Sequence, residues 1–295
     1  MTGAPTPATS AAGPSMAGPA AAARMRTLLI CHAEAELHRE GLARWLAATS
    51  DLAGVVVLHE SGGTLWKRAK RQLKRDGPLR FLDVLAFRLY YRLFLSARDE
   101  AWKRERLAQL QARYPDAPVN VPVAHFRNPN SPECERFIRE CRPDVTLALC
   151  KQLLKPNVFS VPTAGTFVLH PGICPEYRNA HGCFWALANG DVDKVGMTLL
   201  RIDAGVDTGP VYGYFTYDYD EVHESHVVIQ NRVTLDNLDA VMRTLRAVWR
   251  GQAEPIDTRG RPSATWGQPW LTSYLRWKLN ARRRRRRASH RAAVS

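Results

Sequence analysis

The chain has 295 residues, enough for one α/β domain of about 200 residues plus appendages. Lys and Arg outnumber Asp and Glu so far that the formal charge is +14 and the pI lies near 9.9, a balance that favours tRNA, nucleotide-linked substrates or an anionic membrane face. No run of about 18 uncharged apolar residues occurs, which excludes a transmembrane helix.

Residues 1–24 are mostly Ala, Pro, Thr, Gly and Ser without the continuous apolar core of a secretory signal, and are expected to be disordered. Met25-Arg26-Thr27-Leu28-Leu29-Ile30 starts as a first strand would, which makes Met25 a candidate initiator. Leu28–His32 and Gly54–His59 read as buried strands, with a helix from Leu37 to Ala48 between them. The turn His32-Ala33-Glu34-Ala35 has no GxGxxG fingerprint, which argues against an NAD enzyme.

Residues 61–115 are rich in basic residues. Lys67, Arg68, Lys70, Arg71, Lys74 and Arg75 make a basic helix face. A break at Gly77-Pro78 follows, then Leu79 to Leu95, with Arg80, Arg88 and Arg92 among leucines and aromatics. Three readings stay open: a segment lying on an anionic membrane, a nucleic-acid contact, or an amphipathic cap with a solvated basic face. Val119–Phe126 reads as an edge strand, because Pro122 interrupts it. Ser131-Pro132-Glu133 opens a helix, with Ser as N-cap and Pro at its first position, that ends near Cys141. Asp144–Cys150 is the next strand.

Six cysteines (Cys31, Cys134, Cys141, Cys150, Cys174 and Cys183) form no CxxC pair and no zinc spacing. They are read as reduced, hence a cytoplasmic chain, with peripheral membrane contact through 61–115 and Arg282–Arg287 left open. A helix Ala180–Asn189 is closed by Gly190 and turns Phe184, Trp185 and Leu187 inward. Val211–Tyr219 alternates as a strand, and Val227–Trp249 reads as one long amphipathic helix with Leu235, Leu238, Met242, Leu245 and Val248 on one stripe. His223 and His226, beside Glu221 and Glu224, read as ordinary surface, so no metal site is expected. After Gly251 the chain reads as irregular, pinned by Trp266, Trp270 and Trp277. Residues 276–295, with six arginines from Arg282 to Arg287, read as a basic disordered tail; the folded domain is expected over 25–275.

The chemistry concentrates between His170 and Pro210. His170-Pro171-Gly172-Ile173-Cys174-Pro175-Glu176-Tyr177-Arg178-Asn179 follows the apolar run Thr166–Leu169, and Asp203-Ala204-Gly205-Val206-Asp207-Thr208-Gly209-Pro210 follows Met197–Ile202. Strand ends of an open α/β sheet deliver residues into its ligand crevice. A carboxylate there fixes the tautomer of an imidazole, which then moves protons near neutral pH.

This stretch resembles the catalytic core of the formyltransferases that use 10-formyltetrahydrofolate, a group that includes methionyl-tRNA, glycinamide ribonucleotide and sugar N-formyltransferases. His170 matches the family histidine and Asp207 its aspartate; Pro171, Pro175, Tyr177, Arg178, Gly205, Thr208 and Gly209 match the loop framework, and Arg142–Val145 and Leu153–Pro156 fit more weakly. The resemblance implies a Rossmann-like α/β fold, an open, mostly parallel twisted sheet flanked by helices. It also implies formyl transfer from 10-formyltetrahydrofolate to an amine of a small metabolite, such as an amino sugar or a biosynthetic intermediate. In that scheme His170 stabilises the oxyanion and shuttles a proton, Asp207 orients His170 and takes the amine proton, and the backbone of Gln152, Leu153 and Leu154 with Asp203 to Val206 holds the pterin. Arg178 is a candidate clamp for an anionic substrate group, with a structural salt bridge as its alternative. Cys174 reads as a loop residue rather than a nucleophile.

The family Asn two residues before the His is Val168 here. Loss of one such oxyanion donor typically costs on the order of 100- to 1000-fold in rate. Asn179 is a candidate replacement if its loop turns inward. A 10-formyltetrahydrofolate hydrolase and a catalytically degraded, binding or membrane-associated member are the rival readings. With no room for a C-terminal tRNA-gripping barrel, tRNA is the less expected partner.

Overall fold

Continuous apolar runs, rather than alternating ones, belong to strands covered on both faces. The computed structural model describes residues 24–60, 62–116 and 120–294, and in it such runs form the middle of a seven-stranded sheet. Its strands are β1 (Arg26–His32), β2 (Asp51–Leu58), β3 (Val123–Phe126), β4 (Val145–Leu149) and β5 (Gly165–His170), then β7 (Met197–Arg201) and β8 (Val211–Phe215), while β6 (Arg178–Asn179) pairs separately with β9 (Thr265–Trp266). The order is β3-β2-β1-β4-β5-β7-β8. The first five strands in this order are mutually parallel, and β7 and β8 join antiparallel. The protein thus has the Rossmann-like α/β architecture.

Chain order reverses between β1 and β4, which opens a crevice at their carboxyl ends. The backbone N–H of Lys151 spans it and donates to His32 Nε2 at 3.0 Å. β3 is an edge strand, as Pro122 requires, and the Pro122 carbonyl accepts from Val55 N at 2.9 Å.

Helices cover both faces. On one side, π-helical Leu37–Leu42 runs into α1 (Ala43–Thr49), and the larger apolar cluster takes Leu29, Val57, Phe167 and Leu199 from the strands. On the other, α4 (Pro132–Cys141) and the single turn α5 (Pro156–Phe159) cover Leu28, Ile30, Val56 and Leu58 through Ile138 and Val158. Ser131 Oγ accepts from Cys134 N and caps α4, with Pro132 in its first turn. α6 (Gly182–Asn189) ends at Gly190, whose φ of +85° suits glycine. All six cysteines are free.

Three expectations are corrected. The stretch Val227–Trp249 is two helices, α7 (His226–Leu235) and α8 (Leu238–Trp249). Asn237 separates them by turning its amide to the Val233 and Thr216 carbonyls, and Asp236 beside it is held by Arg232 and Arg106. The strand Val211–Tyr219 stops at Phe215 because its partner β7 begins opposite, at Met197. Tyr217 and Tyr219 instead spend their hydroxyls on Glu224 and the Val192 carbonyl.

The third correction concerns the tail. Residues 276–295 belong, as far as Val294, to α9 (Leu271–Val294). Tyr274, Trp277 and Ala281 recur at helical spacing and are buried, so docking of one face supplies the order that charge repulsion along six arginines would deny. Arg284 turns back to a bidentate pair with Glu221, at 2.9 and 2.7 Å.

α9 packs beside α2 (Gly62–Phe94), which is broken at Gly77 (φ +75°) and followed by α3 (Ser96–Arg113). The expected disordered segment lies, through residue 23, outside the described residues, as do the side chains of Lys67, Arg68, Lys70, Arg71, Lys74 and Arg75. Among the described residues, no helix is long and apolar enough to cross a membrane.

The joint between α2, α6, α7 and α9 is aromatic. His226 sits in it, 5.3 Å from the Phe87 ring and 5.6 Å from Phe184, with His181 at 6.0 Å. Burial lowers the pKa of His226 well below its ordinary value, and takes His181 from 6.5 down to about 4.

Trp277→Ala is expected to cost about 3–5 kcal/mol in urea unfolding, because it leaves a cavity under α9. Both histidines stay neutral when folded and protonate when unfolded below 6.5, so the unfolded state binds more protons there. Stability should therefore fall as pH drops from 6.5 toward 4. His226→Phe should flatten part of that fall in urea midpoints compared at about pH 7 and about pH 5.

Candidate active site

In β5 the side chains alternate, so Thr166, Val168 and His170 share one sheet face while Phe167 and Leu169 enter the core on the other. His170 ends the strand and is only 3% exposed. Val168, two residues back on the same face, is half-buried against the apolar cluster of Cys174, Leu200 and Val211 with Tyr214.

After β7 the chain folds back across this face. Asp203 Oδ1 braces the turn by accepting from Gly205 N at 2.9 Å and Thr208 Oγ1 at 2.7 Å. Gly209 passes so close to β7 that a Cβ there would lie 1.9 Å from the Arg201 carbonyl oxygen. The turn holds Asp207 at φ +51°, a left-handed conformation costly for a non-glycine residue. Its Oδ2 lies 3.3 Å from His170 Nδ1 and accepts from Asn179 N at 2.7 Å. Asn179 (φ +77°) and His181 (φ +57°) are left-handed as well, so strained backbone gathers on the two loops that meet at this carboxylate.

The other ring nitrogen, Nε2, lies 2.7 Å from the Tyr177 carbonyl oxygen. A carbonyl only accepts, so the proton on Nε2 points at Tyr177.

The loop Pro171–Tyr177 closes over the imidazole and is tied at several points. Cys174 N donates to Thr198 Oγ1 at 3.0 Å, Thr198 Oγ1 donates to the Gly172 carbonyl at 2.6 Å, and Tyr214 OH donates to the Cys174 carbonyl at 2.7 Å. Glu176 takes a bidentate contact from Arg261 at 3.0 and 2.6 Å, and Tyr177 stacks on Trp266 with ring centres 5.4 Å apart. Sequence reading missed Thr198, Tyr214, Glu176 and Arg261. The first two look like ordinary strand residues, and Arg261 lies 85 positions from its partner.

The remaining sequence-derived positions fall as follows. Leu154 is buried in the second apolar cluster, which also receives Ile202, so the loops after β4 and β7 share one floor. Leu153 (54% exposed) and Val206 (43%) stand outside it. Gln152 Oε1 is buried with no hydrogen-bond partner among the described residues. Arg178 forms no ion pair among the described residues; Nη1 donates to the Val206 carbonyl at 3.1 Å. Asn179 does not turn inward: its amide donates to the Trp266 carbonyl at 2.5 Å, held there by the β6–β9 pairing. Cys174 is 1% exposed, and burial together with the negative charge of Asp207 pushes its thiol up to about 12, so little thiolate forms near neutral pH. His223 bonds Asp220 at 2.7 Å while His226 lies in the aromatic joint.

A family model described as formyl transferase matches residues 94–245, about half of the chain. The chain belongs to the formyl transferase family. A methionyl-tRNA formyltransferase of Dehalococcoides mccartyi (strain CBDB1) is 38% identical over 82 residues, 28% of this chain and 26% of that protein. One from Bacteroides thetaiotaomicron is 29% identical over 129 residues, 42% of this chain and 40% of that protein. The chain thus spans between a quarter and two-fifths of the curated relatives it matches. A sugar N-formyltransferase from Shewanella sp FDAARGOS_354 shares the fold, with a TM-score of 0.50, 12% identity and 87% of each chain covered. The match begins at residue 94, after most of α2, so that helix lies outside the part the formyl transferase model describes.

Gly209→Ala is expected to lower stability by about 1–3 kcal/mol in urea unfolding, because the β7 backbone cannot yield to a Cβ.

Proposed function

We propose that this formyl transferase family member moves a formyl group from 10-formyltetrahydrofolate to the amine of a small metabolite, with His170 and Asp207 as the catalytic pair. The observation that carries the reading is the 3.3 Å approach of Asp207 to His170 at the end of β5, within the family's own motif. When bound, the folate supplies an activated one-carbon acyl group on nitrogen. Gln152 offers a buried acceptor without a partner among the described residues, which suits a ring N–H, and the exposed Leu153 and Val206 suit an apolar ring face.

Asp207 orients the imidazole through Nδ1 and serves as base toward an incoming amine. His170 holds at Nε2 the proton that a developing oxyanion or departing nitrogen needs. In this conformation that proton rests on the Tyr177 carbonyl, so turnover requires the Pro171–Tyr177 loop to release it. Arg178, without a carboxylate partner among the described residues, suits an anionic group on the acceptor. Val168 supplies no donor, and the Asn179 amide is engaged elsewhere; this favours a slow transferase that relies on the His–Asp pair.

Full-length protein incubated with 10-formyltetrahydrofolate and a metabolite extract should yield formylated amines detectable by mass spectrometry. His170→Ala and Asp207→Asn should each lower that rate roughly 100-fold or more while circular dichroism stays unchanged. Activity retained by either variant would overturn the assignment. Formate release without any amine would instead identify a hydrolase.

A further inference from the structure

α2 has two apolar faces. From Pro78 to Phe94 one face carries Val84 and Phe87, both buried, with Tyr91 against His226. At 3.6 residues per turn, Leu82, Leu85, Leu89 and Leu93 fall on the opposite side. They are 60%, 40%, 59% and 64% exposed, and Leu79 and Phe94 extend the exposed set at 82% and 68%. A helix that is apolar on both sides is ordinarily buried on both, and here the second side stays exposed among the described residues.

α9 repeats the arrangement. Tyr274, Trp277 and Ala281 are buried, while Leu275 and Leu279 are each 49% exposed. The two helices meet around a cavity of 320 Å³ where Tyr90 and Leu95 face Leu275 and Leu279, with Arg98 and Arg282 at its walls beside Asp99 and Glu224.

Along the outward sides of α2 and α9 themselves the charge is positive. Between Pro78 and Arg98 the only acid is Asp83, and it bonds Thr272 of α9 rather than facing outward. From Leu271 to Ser295 there is no acid at all. Arg80, Arg88 and Arg92 of α2 and Arg276, Arg282, Arg283 and Arg286 of α9 are exposed. Pairing of this face with a second copy would bring like charges together. A nucleic acid would neutralise the arginines but leave the leucines in water. An anionic bilayer satisfies both: acyl chains take the leucines and headgroups the arginines.

We propose that the paired helices α2 and α9 form a docking face that seats this protein on the surface of an anionic lipid bilayer, with the Leu82–Leu89–Leu93 row entering the interface. No residue of the proposed catalytic pair takes part, so the inference stands or falls independently of the formyl-transfer reading.

The test is flotation of the full-length chain with two kinds of vesicle, pure phosphatidylcholine and phosphatidylcholine with about a quarter phosphatidylglycerol. Binding is expected only to the anionic vesicles. The variant Leu82→Ser/Leu89→Ser/Leu93→Ser should weaken it roughly tenfold or more, with circular dichroism unchanged because all three side chains are exposed. Should that variant misfold, Arg283→Glu/Arg286→Glu provides the second arm and should also weaken vesicle binding. Equal binding to neutral vesicles, no binding to either, or full binding by both variants would overturn the proposal. So would a leucine-dependent dimer that ignores vesicles, or retention on heparin that the leucine variant leaves intact without any vesicle binding.

Discussion

One carboxylate joins the two loops on which the candidate site depends. Asp207 accepts from the backbone of Asn179 and approaches Nδ1 of His170, so the turn after β7 and the loop after β5 are fastened at a single side chain. That fastening needs the chain to double back over the sheet. The antiparallel entry of β7 beside β5 makes this possible, because it sends the 202–210 segment across the face that carries Val168 and His170. Gly209 permits the close passage over Arg201, and Asp203 locks the turn internally. Three left-handed non-glycine residues, Asn179, His181 and Asp207, record what the arrangement costs the backbone.

The same loop that presents His170 also covers it. Its ties run to β7 through Thr198, to β8 through Tyr214, and to the C-terminal region through the Glu176–Arg261 pair and the Tyr177–Trp266 stack. The late, irregular segment around Trp266 is therefore a support of the site rather than an appendage. Trp185 of α6 stacks on the other side of Trp266 at 5.0 Å, which couples the loop to the core. Movement of residues 171–177 away from the imidazole would disturb all of these contacts together, so opening of the site is a property of the whole C-terminal half.

The helical layer made by α2 and α9 has a different physical basis. The aromatic joint of Phe87, Phe184, His226, Tyr274 and Trp277 holds both helices onto the domain, and this burial is what folds a chain segment bearing six successive arginines. The Gly77 break lets the second half of α2 lie against α9 independently of its first half.

Much was legible in the residues themselves. Uninterrupted apolar runs marked β1, β2 and β4, because such runs suit strands covered on both faces. Ser131-Pro132 marked the start of α4, since a capping hydroxyl and a fixed φ act locally. The His170 and Asp207 motifs marked the family and a candidate site, because strand-end loops with Pro and Gly at set places leave few ways to present a side chain. What depended on distant partners was not legible. The split between α7 and α8 turns on Asn237 reaching the Thr216 carbonyl, and the end of β8 turns on where β7 begins. The order of α9 turns on an aromatic pocket assembled from three other helices, and the outward turn of the Asn179 amide on a carbonyl 87 positions away. The sequence by itself determined the buried strands β1, β2 and β4, the cap of α4 and the candidate chemistry, because those are local preferences of backbone and side chain. Only the tertiary structure decided which of them touch, since each such contact exists only once the sheet has brought remote segments together.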